Sequence, residues 1–130
     1  MISFWIQHAD FESEEAEARS GAVVAEALLA HDWDAEVARI DALKAEGAEW
    51  CPPGLGLNST ERGILHVYFE GGTETADVMV VPPRRRSLLG LFAGRSKPQY
   101  ARAVPRAAWR TWVERYVAKD AEWLVANSTP

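Results

Sequence analysis

The sequence predicts one α+β domain spanning residues 1–130, with a three- to four-stranded, mainly antiparallel sheet and helices packed on one of its faces. Three observations lead to this fold class. Hydrophobic residues make up 48% of the 130 residues, which is ordinary usage for a chain with a single core. Several segments repeat apolar residues at helical spacing, and two others alternate apolar and polar residues around a Gly-Gly pair. The predicted order of elements is β-α-α-β-β-α.

The first part of the chain predicts one strand followed by two helices. Ile2–Gln7 alternates apolar and polar side chains, as a half-buried strand does. Ser13–Ala30 consists mostly of strong helix formers behind an acidic first turn, which suits the positive end of a helix dipole. Within it, Gly21 predicts close packing against a neighbouring element. A second helix is predicted from Trp33 to Gly47, after the N-cap signal of Asp32.

The middle of the chain predicts a loop and a β-hairpin. Trp50–Asn58 is rich in Pro and Gly and is interpreted as a loop, with a short edge strand as the alternative. Ile64–Glu70 and Thr73–Val81 have the clearest strand patterns, and Gly71-Gly72 between them suits a two-residue turn. The hairpin is therefore predicted to have a fixed register.

This register would place His66 opposite Asp77 on the polar face and Val67 opposite Ala76 on the apolar face. A loop longer by one residue would bring Asp77 opposite Val67, where burial of an unpaired carboxylate is costly. A carboxylate that holds an imidazole can orient a general base. Cross-strand pairs of this kind are more often structural, so no catalytic residue is assigned.

The last part of the chain predicts a long loop and a final helix. No acidic residue occurs between Val78 and Val113, and the segment 84–95 combines three adjacent arginines with a Leu-Leu-Gly-Leu-Phe sequence. Pro105 suits the first turn of a helix with a broad apolar face that runs to about Ala126. Several of the six Trp residues are expected to anchor the core, and one or two to serve an interface.

Composition argues against several classes of site. Cys51 is the single cysteine, so no internal disulfide forms, and neither it nor the three histidines has the spacing of a metal motif. The glycine pairs do not continue into a phosphate-binding motif. We therefore expect no metal and no cofactor. The absence of a secretory leader or a long apolar run predicts a cytoplasmic protein.

Charge divides the chain into two parts. The net charge of −5 combines a net −9 over residues 1–50 with a net +4 over residues 51–130. An acidic surface can cover the basic active site of a toxin and accelerate the encounter. The leading hypothesis is thus a non-enzymatic, single-domain binding protein, most concretely a bacterial immunity protein that occludes a toxin's active site. The residues predicted to contact this partner are Trp5, Gln7, His66, Tyr68, Glu70, Asp77, Glu14, Glu15, Asp32 and Asp34.

Two alternatives remain open at this point. The basic-hydrophobic loop could make the protein a peripheral adaptor for an anionic membrane or nucleic acid, although the negative net charge argues against nucleic acid. The loop residues that would make these contacts are Arg84, Arg85, Arg86, Leu88, Leu89 and Phe92. The second alternative is a small enzyme that uses His66 and Asp77.

Overall fold

A computed structural model of the protein describes residues 1–83 and 97–130. The described residues form a six-stranded antiparallel sheet and four helices, in the order β-β-α-α-β-β-β-β-α-α, so the predicted fold class and order were wrong. The strands are β1 (Ile2–Gln7), β2 (Ser13–Ala18), β3 (Gly54–Ser59), β4 (Gly63–Tyr68), β5 (Thr75–Val81) and β6 (Gln99–Pro105). The helices are α1 (Gly21–Ala30), α2 (Trp33–Ala45), α3 (Arg106–Val117) and α4 (Ala121–Ala126). Across the sheet the strands lie in the order β2-β1-β3-β4-β5-β6.

The first correction concerns the predicted helix Ser13–Ala30, of which Ser13–Ala18 is the edge strand β2. This segment pairs antiparallel with β1, from Ile2 opposite Ala18 to Gln7 opposite Ser13. The helix propensities of Glu and Ala are worth only tenths of a kcal/mol per residue, and pairing with β1 overrides them. The helix begins later, after the Ser20 side chain accepts a hydrogen bond from the Val23 backbone N–H.

The second correction concerns the predicted loop Trp50–Asn58. Its second half is β3, which lies inside the sheet between β1 and β4 rather than at an edge. Pro52 and Pro53 precede the strand, so their missing N–H groups do not interrupt the ladder. The Pro53 carbonyl accepts a hydrogen bond from the Phe69 N–H at 3.0 Å, which extends the contact with the neighbouring chain segment.

The third correction concerns the hairpin register. His66 lies opposite Met79, and Tyr68 lies opposite Asp77, so the pairing differs by two residues from the predicted one. The connection spans residues 69–74 instead of two glycines. A shift by two residues leaves every side chain on its predicted face, and the apolar pattern therefore could not distinguish the two registers.

The C-terminal part contains a strand that was not predicted and a break in the predicted helix. Strand β6 pairs with β5, and Thr129, which follows α4, forms an isolated bridge to Tyr100 on the outer edge of β6. Helices α3 and α4 are separated at Lys119, whose φ is 61°. Asp120 then caps α4 by accepting a hydrogen bond from the Trp123 N–H at 3.1 Å.

The main core lies between one face of the sheet and helices α1 and α3. Trp33, Trp109 and Trp112 are buried in it, which confirms that several tryptophans anchor the core. The indole N–H of Trp109 donates to the Val104 carbonyl at 2.9 Å, so this polar group is satisfied. At Gly21 a Cβ would lie 3.2 Å from Val117, which confirms close packing of α1 against α3. In the described ranges, every helix is too short or too polar to cross a membrane.

Candidate functional site

The candidate site is the face of the sheet opposite α1 and α3, which we call the open face. Its side chains alternate along each strand with those of the core, and most of them remain partly exposed. The residues that carry these side chains are Ser3, Trp5, Gln7, Glu15, Glu17, His66, Tyr68, Asp77, Met79, Tyr100 and Arg102, and Gly54 and Gly56 of β3 lie between them. The strands thus bring four of the aromatic and imidazole rings of the chain onto one surface.

One row of cross-strand neighbours runs over five strands. It consists of Trp5, Gly56, His66, Met79 and Tyr100, each paired with the next. Because Gly56 has no side chain, the Trp5 indole lies across it, and a Cβ at this position would clash with the indole ring. The ring centroids of Trp5 and His66 are 6.0 Å apart as a result.

The imidazole of His66 lies between two aromatic rings. Its centroid is 5.5 Å from that of Tyr68, and its Nε2 atom is buried with no hydrogen-bond partner among the described residues. Burial lowers the pKa of His66 from its ordinary value of 6.5, so the ring is neutral at pH 7. An unpaired buried nitrogen of this kind costs about 1–3 kcal/mol.

A second row contains Tyr68 and Asp77, which are held by a β-bulge in β6. Arg102 and Ala103 together oppose Asp77, and this extra residue turns both toward the carboxylate. Arg102 Nη1 donates to Asp77 Oδ2 at 3.2 Å and to Tyr68 Oη at 3.0 Å, and the Ala103 N–H donates to Asp77 Oδ1 at 3.0 Å. Burial raises the pKa of Tyr68, although Arg102 opposes the shift, so its hydroxyl keeps a proton to donate.

The predicted His66–Asp77 pair does not form. His66 lies opposite Met79, and Asp77 is held by Arg102 and Ala103 instead. The register shift is the cause, since it moves Asp77 two residues along the strand relative to His66. The described geometry therefore gives His66 no carboxylate that could orient it as a general base.

A groove of about 410 Å³ lies along the open face beside these rows. Its lining includes the predicted residues Gln7, His66 and Tyr68, together with residues that sequence reasoning missed. The missed residues are Phe11, Cys51, Pro52, Met79 and Tyr100. Alternation along β5 could have identified Met79, whereas Tyr100 lies in a strand that had not been recognised. Phe11 is 57% exposed at the turn between β1 and β2, which gives the groove an apolar rim.

The acidic residues predicted to contact a partner are distributed over different surfaces. Glu15 lies opposite Trp5 at the β2 edge of the open face, and Glu17, which was not predicted, lies opposite Ser3. Glu14 faces the other way and accepts a hydrogen bond from His8 Nε2 at 3.1 Å. The remaining acids lie off the sheet face: Asp32 caps α2, Asp34 accepts a hydrogen bond from Thr73, and Glu70 is exposed in the β4–β5 connection.

The predicted adaptor loop lies outside the described residues. Its residues are Arg84, Arg85, Arg86, Leu88, Leu89 and Phe92.

Away from the open face, the described residues bring His8 and His31 together around Glu36. No spacing pattern predicts that Glu36 joins the two histidines, because the three residues lie on separate elements. Comparison of the chain with protein-family models, curated proteins and solved structures finds no match.

Proposed function

We propose that the protein is a non-enzymatic binding protein that docks a basic partner protein on its open face. The observation that carries this proposal is the cross-strand row of Trp5, His66, Met79 and Tyr100, in which the Trp5 indole lies across Gly56 and the carboxylates of β2 form the border. In its most concrete form the partner is a toxin, and the protein acts as a bacterial immunity protein that blocks the toxin's active site.

The composition of the open face supports a protein partner. Aromatic side chains such as Trp5, Tyr68 and Tyr100 offer a large contact area at a low cost in conformational entropy, and Trp and Tyr are enriched at binding hot spots. The groove gives a partner side chain a concave place to insert. The Tyr68 hydroxyl provides a hydrogen-bonding group within the same surface.

The distribution of charge supports a basic partner. Glu15 and Glu17 lie along one border of the open face, and residues 1–50 carry a net charge of −9. Such a potential attracts a positively charged surface and raises the association rate. A toxin whose active site binds an anionic substrate presents a surface of this kind.

The contacts of Asp77 favour a binding role over the small-enzyme alternative. Its carboxylate is engaged by Arg102 and by the Ala103 N–H, and it does not contact His66. Tyr68 belongs to the same network through Arg102. These side chains therefore act as a fixed polar part of the binding face in our proposal.

The test begins with affinity capture from the native host, followed by measurement with the purified partner. The double variant Trp5→Ala with Tyr68→Ala is expected to lose about 2 kcal/mol or more of binding free energy, which is about 30-fold in Kd. A matched control truncates two exposed apolar side chains on helices, Val23→Ala with Val125→Ala, and should bind as the wild type does. Inhibition of the partner's toxic activity by stoichiometric wild-type protein would support the immunity role.

Two results would contradict the proposal. One is a partner that binds the Trp5→Ala/Tyr68→Ala variant as tightly as the wild type. The other is binding to anionic vesicles or oligonucleotides that disappears in an Arg84→Ala/Arg85→Ala/Arg86→Ala variant, with no protein complex formed. That second result would favour the adaptor alternative.

A further inference from the structure

Three potential metal ligands from three elements meet at one end of the molecule. His8 follows β1, His31 caps the C-terminus of α1, and Glu36 lies in the first turn of α2. His8 Nδ1 is 2.6 Å and His31 Nε2 is 3.0 Å from the same carboxylate oxygen, Glu36 Oε1. One ligand atom from each of the three residues lies within 4.8 Å of the other two.

We propose that His8, His31 and Glu36 form a binding site for a divalent transition-metal ion such as Zn²⁺. Imidazole nitrogen and carboxylate oxygen are ligands that Zn²⁺ accepts, and two histidines with one glutamate are a known three-ligand set for this ion. Metal–ligand bonds of about 2.0–2.2 Å place ligand atoms about 3.3–3.6 Å apart in a tetrahedral site. Each histidine nitrogen would therefore move only slightly away from Glu36 Oε1, and the two nitrogens already lie within 4.8 Å of each other. The fourth position remains open to water or to a partner group.

Glu14 and Trp33 orient the two histidines. Glu14 Oε2 lies 3.1 Å from His8 Nε2, so when a metal ion displaces the proton from Nδ1 the remaining proton stays on Nε2 and Nδ1 is the ligand atom directed toward Glu36. A carboxylate behind a metal-binding histidine is the usual arrangement that fixes its tautomer and orientation. The His31 ring packs on the buried Trp33, with the ring centroids 4.4 Å apart. These contacts hold the ligands in place before an ion arrives.

The cluster is accessible from solvent but partly shielded. The side chains of His8 and His31 are 25% and 26% exposed, and that of Glu36 is 13% exposed. An open depression of about 320 Å³ borders His8 and Glu36 and is also lined by Asp10, Glu12 and Arg39. Its lining has the carboxylates of Asp10 and Glu12 in addition to that of Glu36, against the single positive charge of Arg39, and this favours entry of a cation. Without an ion, the Glu36 carboxylate hydrogen-bonds His8 and His31 directly. Protons and metal ions therefore compete for the nitrogen atoms of these histidines.

The experiment uses the untagged full chain, stripped of metal with a chelator and kept at neutral pH. Zn²⁺ is titrated by isothermal calorimetry, and Co²⁺ by its visible absorption, which distinguishes tetrahedral coordination from the hydrated ion. We expect a 1:1 complex with an affinity that falls about 100-fold or more in His31→Gln and in Glu36→Gln, since each removes a ligand. Glu14→Gln is expected to weaken binding by about 10- to 100-fold, because Glu14 acts behind His8.

A matched control is Glu26→Gln, which removes an exposed carboxylate of α1 outside the cluster and should bind as the wild type does. Circular dichroism of each variant without metal separates loss of a ligand from loss of the fold, and the two ligand variants test the site independently. Absence of Zn²⁺ heat and of tetrahedral Co²⁺ absorption would overturn the proposal. So would an affinity that the folded His31→Gln and Glu36→Gln variants leave unchanged. Because no partner protein is used, the result is independent of the proposed function.

Discussion

Two glycines of β3 shape the open face at the scale of single residues. A Cβ at Gly56 would clash with the far end of the Trp5 side chain, whereas a Cβ at Gly54 would clash with the Val67 carbonyl and lie 2.9 Å from Tyr68 Cα. A side chain can move aside more easily than the backbone of a paired strand. The two glycines therefore have different roles, one in positioning an indole and one in allowing β3 and β4 to pair.

Alanine substitutions separate these roles. Gly56→Ala is expected to displace the Trp5 indole from His66 and to lower the free energy of unfolding by about 1–3 kcal/mol. Gly54→Ala should lower it by more, because the backbone of β4 must shift. Urea denaturation measures the stability, and a Trp5→Phe background identifies the contribution of Trp5 to the fluorescence change. Equal stability of Gly54→Ala and wild type would contradict this account.

His66 makes stability depend on pH in a predictable direction. Burial lowers its pKa below the ordinary value of 6.5, so in mildly acidic solution the unfolded chain binds a proton that the folded protein does not. The contribution of His66 to stability therefore falls as the pH decreases from the unfolded pKa toward the lower folded pKa. In His66→Gln this dependence is absent.

The measurement is the difference in unfolding free energy between His66→Gln and the wild type, at about pH 7.5 and about pH 5.5. This difference removes the contributions to the unfolding free energy that other titrating groups, including His8, make equally in both proteins. We expect the variant to gain stability relative to the wild type at the lower pH. A difference that is the same at both pH values would show that His66 titrates alike in the folded and unfolded chains.

At the scale of elements, Asp120 sets the break between α3 and α4. Its carboxylate accepts the Trp123 N–H at 3.1 Å and pairs with Arg115 Nη1 at 2.8 Å. Lys119, with φ of 61°, turns the chain immediately before it. The cap and the turn together end one helix and start the next, although the apolar pattern is continuous across them.

Asp120→Ala is expected to lower the unfolding free energy by about 1 kcal/mol, through loss of the N-cap. Asp120→Asn retains a capping oxygen and loses only the ion pair, so it should retain most of the stability. Thermal and urea denaturation of both variants would test this. A loss in Asp120→Asn as large as that in Asp120→Ala would assign the effect to Arg115 instead of the cap.

Elements whose pattern is strong and local were predicted well. The bounds of β1 agree with the alternating segment, and α2 begins at Trp33 as the Asp32 signal indicated. The inward positions Leu65, Val67 and Val78 are buried as expected. Strands β2 and β6 were not predicted, and β3 was considered only as an alternative short edge strand. Their own patterns are weak, since β2 has acids and β3 has glycines at alternate positions, and β6 carries the exposed Arg102 and ends at Pro105. These segments form strands because a neighbouring strand supplies backbone hydrogen bonds: β1 for β2, β1 and β4 for β3, and β5 for β6. The local sequence of a segment does not show which strand will lie beside it.

For the whole molecule, the two edges of the sheet are protected differently. On β6, Tyr100 exchanges backbone hydrogen bonds with Thr129, at 2.6 Å and 2.9 Å, which covers part of that edge. The β2 edge carries three exposed carboxylates, Glu14, Glu15 and Glu17. Charges on an edge strand disfavour pairing with a second chain, so β2 remains an edge in our interpretation.

Removal of this charge should promote self-association. The double variant Glu15→Thr with Glu17→Thr places β-favouring residues on the edge and is expected to show a larger mass than the wild type at equal concentration. Size-exclusion chromatography with light scattering over a concentration series measures the effect. The control Glu26→Thr with Glu46→Thr changes the net charge equally, on α1 and at the C-cap of α2. A mass increase in both variants would assign the effect to net charge rather than to the edge.

The sequence by itself determined the separation of apolar and polar faces in β1, β4 and β5, the acidic character of the first fifty residues, and the presence of Trp5, His66 and Tyr68 on the open face. Local alternation and composition are sufficient for these features. Tertiary structure alone decided which strands pair, that Gly56 lies beneath Trp5, and that Glu36 joins two histidines. Such contacts connect residues distant in the chain, and their free energy depends on geometry that no local pattern encodes.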